Sequence, residues 1–193
     1  PEAGDDIAKV YGVAQAIGQL IGDRGQDLVS GAGLVVGSAS IAGFLDSLRS
    51  SGGWDIERRL IARPFPQPIP GAAPDRAQWT ALRAELSRIA GVVVFVGGIK
   101  IDPDTGAAIM AGGVLDEFEA AKAADSFVIP IGSTGGAASQ ISDSLIGSAI
   151  DATGRNAMRP TDEELTELAR ADVSVAEIVK LVSSILTRID KRA

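Results

Sequence analysis

Val92-Val93-Val94-Phe95-Val96-Gly97-Gly98-Ile99-Lys100 decides the fold. Five consecutive apolar residues, four of them β-branched, suit a strand buried on both faces, the mark of a central parallel strand. The glycines then turn the chain out of it. Parallel strands need crossover connections and covering helices, so helices are expected on either side. Asp75 to Ala90 has the periodicity of one helix, and Gly113 to Ala124 that of another. Phe127 to Ile131 reads as the next strand, and Gly135 to Ile150 as a further helix.

The same alternation runs back toward the N-terminus. Ile7, Val10, Ala14, Ile17 and Ile21 recur at spacings of three and four, one face of an amphipathic helix with Asp5 or Asp6 as N-cap. A short strand at Asp27 to Ser30 leads into Gly31-Ala32-Gly33-Leu34-Val35-Val36-Gly37-Ser38, and a helix runs from Ser38 to Arg49. Arg59 to Arg63 is the next strand, stopped by Pro64. Four of the seven residues from Pro64 to Pro70 are proline, so that segment is an ordered loop. Asp102-Pro103-Asp104-Thr105-Gly106 is a turn. Two tail helices carry capping boxes, Thr161-x-x-Glu164 and Ser174-x-x-Glu177. Ile178, Leu181, Val182, Ile185 and Ile189 give the last helix an apolar stripe, able to pack on a second subunit. The fold expected is a Rossmann-like, doubly wound parallel α/β sheet in one domain of 193 residues, with a core at about 5–150 and a helical tail at about 161–191.

Composition narrows the chemistry. Cysteine and histidine are both absent, which removes disulfides, thiolate nucleophiles, His-based triads and His-ligated zinc. A net charge of −7 repels nucleic acid and anionic membrane, and 4% aromatics is too few for a base-stacking surface. No stretch reaches the ~20 apolar residues of a membrane span, and no signal peptide is visible, so the cytoplasm is expected.

In open α/β sheets, ligands bind at the carboxyl ends of the strands. The Gly31–Gly37 loop lies there. Its glycines let backbone approach a phosphate, and the following helix offers N–H groups. The spacing G-x-G-x-x-x-G is neither the dinucleotide fingerprint nor a P-loop, and a tight strand-to-helix turn reads equally well. Arg63 can fork a phosphate from the end of its strand, or remain a surface charge. Arg58 and Arg59, at the other end, read as solvated. Lys100 and Glu117 share the ligand edge, with Glu117 expected on the first turn of its helix, where the dipole alone would favour it. Arg83, on the preceding helix, reads as either a ligand contact or an exposed charge. Gly132-Ser133-Thr134-Gly135-Gly136 can cradle a second phosphate or simply cap a helix.

In order, the glycine loop, Arg63-Pro64-Phe65-Pro66-Gln67, Val93 to Lys100, Gly113-Val114-Leu115-Asp116-Glu117-Phe118-Glu119 and Ile129 to Gly135 resemble the SLOG domain. This Rossmann-like group is related to the LOG phosphoribohydrolases and to DprA. The variant resembled is the one appended to sirtuin-like or TIR effectors in Thoeris-type antiphage defence. The resemblance covers roughly residues 5 to 150. It implies a regulatory sensor that binds a cyclic ADP-ribose isomer, needs no cofactor, and switches on an attached NAD-consuming effector. It further implies that Gly31, Gly33, Leu34 and Gly37 approach the ligand, while Arg83, Lys100 and Glu117 contact its phosphates and riboses. SLOG domains usually open with a short strand ending in Ser-Gly-Ser. Here the first helix comes almost at once, so either that segment was trimmed or disordered or the sheet lacks a strand, and four strands are expected where the family has five or more. LOG hydrolases carry Pro-Gly-Gly-x-Gly-Thr-x-x-Glu; this chain has Ile109-Met110-Ala111-Gly112-Gly113-Val114-Leu115-Asp116-Glu117. The Glu remains but Pro-Gly-Gly and Thr do not, which implies binding without turnover. The alternative is a nucleoside-monophosphate phosphoribohydrolase using Glu117 with Arg83. A homodimer or higher homo-oligomer is expected.

Overall fold

Apolar β-branched runs bounded by glycine, set between helical periods, build alternating strands and helices. The computed structural model describes residues 3–53, 55–69, 73, 75–102, 104–148 and 157–191. The elements are α1 (Ala3–Asp23), β1 (Leu28–Ser30), α2 (Val36–Ser51), α3 (Ile56–Arg59), β2 (Leu60–Ala62), α4 (Arg76–Ile89), β3 (Val92–Val96), β4 (Ile99–Ile101), β5 (Ala108–Met110), α5 (Gly112–Ala123), β6 (Phe127–Ile131), α6 (Gly136–Leu145), α7 (Asp162–Ala169) and α8 (Val175–Asp190), with one 3-10 turn at Gly132–Thr134.

The four main strands are parallel, as expected of a Rossmann-like sheet. They form two pairs, β1 with β2 and β3 with β6, and no ladder joins the pairs among the described residues. Helix α1 packs against both β1 and β3 and bridges the two halves. The strand buried throughout is β6, whereas Val92, Val93 and Val94 of β3 are half-buried. One face of this pair, through Ile129 and Ile131, meets Val13, Ala14 and Ile17 of α1 and Ile178, Val182 and Ile185 of α8. The other face, through Phe95 and Val128, meets Phe118 of α5 and Ile141 of α6. The apolar stripe of α8 is therefore buried within the chain's own core. Both capping boxes form, and Arg188 clamps Glu164 through two hydrogen bonds of 2.7 and 2.8 Å, tying α8 to α7.

Helices α1 and α2 run side by side with almost no space between them. A Cβ on Gly18 would overlap the Ser40 carbonyl, and one on Gly43 would overlap the Gln15 carbonyl. These glycines sit inside helices, where glycine costs about 1 kcal/mol relative to Ala; the backbone contact is the reason for them.

Several expectations need correction. After the glycine turn that follows β3 comes an antiparallel hairpin, β4 with β5, that three-residue runs could not announce. In the connection between its strands the Asp102 carboxylate accepts N–H bonds from Asp104 and Thr105. Helix α6 stops at Leu145, well before Ile150, which lies outside the described residues. Arg59 is not solvated: it ends the one-turn helix α3, donates to the carbonyls of Gly22 and Gln26, and stacks 5.3 Å from the Phe44 ring centre. Among the described residues, no helix is long and apolar enough to cross a membrane.

Candidate nucleotide site

Strand β1 ends at Ser30, whose hydroxyl accepts the Ala32 N–H at 3.0 Å. Ala32 takes a positive φ of 52° and folds the loop back so closely that a Cβ on Gly37 would lie 2.7 Å from the Ala32 carbonyl carbon. Helix α2 then starts with no side chain capping it. A helix start with no side-chain cap attracts anions. Leu34, at the loop tip, is 96% exposed.

The second wall is the proline-rich loop after β2. Arg63 N–H donates to the Ser30 carbonyl at 2.9 Å, which carries the strand pairing to the sheet edge. Phe65 then turns in against the glycine loop, its ring 2.9 Å from where a Gly31 Cβ would stand. Trp79 meets Phe65 edge-on at 6.1 Å, and its indole N–H donates to the Pro66 carbonyl at 2.8 Å.

Arg83 sits one helical turn beyond Trp79, on the same face of α4. It is buried, at 9% exposure. Its guanidinium lies 5.1 Å from the Phe65 ring centre and 6.0 Å from that of Trp79. Two carboxylates of α5 face it at distances too long for good hydrogen bonds: Asp116 Oδ2 at 3.5 Å from Nη1, and Glu117 Oε1 at 4.0 Å from Nε. Its Nε is buried without a hydrogen-bond partner. A Cβ on Gly113 would come within 2.9 Å of Nη2, so α5 begins directly under the guanidinium, and its N-cap Ala111 offers no side-chain acceptor.

Of the residues singled out from sequence, Glu117 faces Arg83 directly and Gly31 is joined to it through the Phe65 ring. Arg63, half-exposed, pairs with Glu85 of α4 at 3.2 Å. Lys100 is exposed on β4. The hairpin is tied to the site where Ala111 N–H donates to the Gly98 carbonyl at 2.8 Å, but the described contacts do not join Lys100 to Arg83. Glu117 lies on the second turn of α5, not the first, so the helix dipole is not what places it. The Gly132–Gly136 segment is a cap: Thr134 accepts the Gly97 N–H at 2.7 Å and donates to Ile131, and Gly97 and Gly98 carbonyls accept the first N–H groups of α6. Phe65, Trp79, Gly113 and Asp116 also surround Arg83. The four-residue spacing of Trp79 and Arg83 was the signal available for Trp79.

Burial pushes the Glu117 carboxyl above the ordinary range, with Asp116 adding to the rise and Arg83 opposing it. The folded state therefore holds this proton to higher pH than the unfolded chain, and stability falls as pH climbs through that window. Because the side chain keeps 42% of its exposure, the effect is at most about 1 kcal/mol. Thermal melts of wild type and Glu117→Gln from about pH 4 upward should show the variant gaining on wild type as pH rises; a constant difference would contradict the assignment. Among the described residues no group of three acidic side chains is placed to hold a metal ion.

The parallel strand pairs and their covering helices define a Rossmann-like α/β domain. The chain belongs to the Sir2- and TIR-associating SLOG family, which it matches over residues 2–189. It is similar to proteins named NAD(+) hydrolase ThsA: 39% identical over 56% of this chain and 22% of the relative in Bacillus cereus (strain MSX-D12). Identity is 28% over 86% of this chain and 33% of the relative in Enterococcus faecium, and 28% over 86% and 36% in Acinetobacter baumannii (strain 532279). The chain thus spans about a third or less of the length of these relatives.

Proposed function

We propose that this chain is a sensor domain that binds a cyclic ADP-ribose isomer around Arg83, between the glycine loop and α5, and so regulates an attached NAD-consuming effector in antiphage defence. The observation that carries this is Arg83: a buried guanidinium whose Nε lacks a hydrogen-bond partner, held over a helix start without a side-chain cap. Buried charges are normally paired at hydrogen-bond distance. A pyrophosphate would supply that pairing from the open side, with the α2 and α5 N–H groups completing it. Glu117 accepts hydrogen bonds from ribose hydroxyls. Gly31 to Gly37 lie against the ligand, and Arg63 and Lys100 reach it from the rim. The similarity to NAD(+) hydrolases supports an effector in the same polypeptide, and Leu34 supports a partner surface beside the ligand in a homo-oligomer. We place the protein in the cytoplasm.

Glu117 also favours a second reading. A carboxyl whose burial raises its proton affinity, set beside a cation, suits general acid chemistry in a phosphoribohydrolase. The absent Pro-Gly-Gly and Thr weigh against it. Incubation with AMP separates the two: a sensor leaves it intact, whereas a hydrolase releases free adenine. Thermal-shift screening against cyclic ADP-ribose isomers, ADP-ribose, NAD and AMP should raise the melting midpoint with at least one ADP-ribose derivative, since binding the folded state alone stabilises it. No shift with any of them would overturn the proposal.

A further inference from the structure

Asp116 and Glu117 are neighbours on α5, yet they stand differently toward Arg83. Glu117 is the more enclosed, at 42% side-chain exposure against 66% for Asp116. Asp116 faces Nη1 from the solvent side at 3.5 Å, near enough to attract but too far for a good hydrogen bond. The guanidinium also packs 5.1 Å from the Phe65 ring centre and 6.0 Å from that of Trp79, and the Trp79 indole N–H donates to the Pro66 carbonyl. Arg83 therefore has packing partners besides the carboxylates. We infer that Asp116 is an internal competitor: its carboxylate occupies the electrostatic field of Arg83 in the free protein and must be displaced, or tolerated, by the phosphate of an arriving ligand. It sets the affinity threshold of the site and disfavours weakly charged anions. This inference rests on the proposal that Arg83 receives a phosphate.

The two neighbours then respond oppositely to neutralisation. Asp116→Asn removes the competitor while keeping the shape, and Glu117→Gln removes an acceptor for the ligand. Exposed ion pairs are weak, so the gain is expected to be about two- to fivefold in affinity. A remote control, Asp172→Asn on the tail, changes the net charge equally and leaves affinity unaltered. The measurement is calorimetric titration of wild type and the three variants with cyclic ADP-ribose isomers and, separately, with inorganic pyrophosphate. Tighter binding of both kinds of probe by Asp116→Asn alone is the expected result. If wild type binds and Asp116→Asn binds equally or more weakly, the competitor role is wrong while the nucleotide site stands. If Asp116→Asn gains on pyrophosphate but no form of the protein binds any cyclic ADP-ribose isomer, the competition stands and the nucleotide proposal fails. If neither probe binds any form, both fall.

Discussion

Arg83→Gln should lower affinity for an ADP-ribose-type ligand by about a hundredfold or more, because it removes a buried, charge-assisted contact that no neighbour can replace. The free protein should hardly notice. The guanidinium in its present state has one N–H without a partner and carboxylates only at 3.5 and 4.0 Å, so losing the charge also removes a desolvation cost. Its melting midpoint is expected to move by no more than about 3 °C. Binding and stability are thereby separable in one variant. A purely structural arginine would give the reverse pattern, with a large loss of stability and unaltered binding by whatever still folds.

Gly43→Ala, like Gly18→Ala, should be a severely damaging small substitution. The added Cβ would enter the Gln15 carbonyl, which is backbone and cannot rotate away. Relief requires separating α1 from α2, and α1 also holds both strand pairs. Overpacking of this kind costs about 3 kcal/mol, which lowers the midpoint of a domain this size by about 6–12 °C. Gly33→Ala is the comparison, because a Cβ there meets nothing within 4 Å. Equal melting of the two variants would show that the helices do not touch as described.

Much of the layout was legible in the chain. Strand alternation with helices, the proline-stopped β2 and both capping boxes follow from local chemistry, because each signal is complete within a few residues. What escaped depended on residues distant in sequence. Arg59 reads as a surface charge until Gly22, Gln26 and the Phe44 ring close around it. Arg83 reads equally as a solvated helix charge until Phe65 arrives from another loop. The β4–β5 hairpin is built from three-residue strands, too short to show alternation. The Gly132–Gly136 segment resembles a phosphate cradle in composition, but its Thr134 hydroxyl accepts the Gly97 N–H, and the Ala137 and Ala138 N–H groups that follow it donate to the Gly98 and Gly97 carbonyls. That same Gly97–Gly98 turn fixes the foot of the hairpin, so one glycine pair organises both features.

The central claim is that Arg83 waits, packed against Phe65 and Trp79, for the phosphates of a cyclic ADP-ribose-type signal. Calorimetric titration of the wild-type chain and of Arg83→Gln with cyclic ADP-ribose isomers tests it most directly. One isomer should bind wild type at a single site per chain, and the variant should show no heat at the same concentrations. Equal binding by both proteins, or no binding of any isomer by wild type, would contradict it.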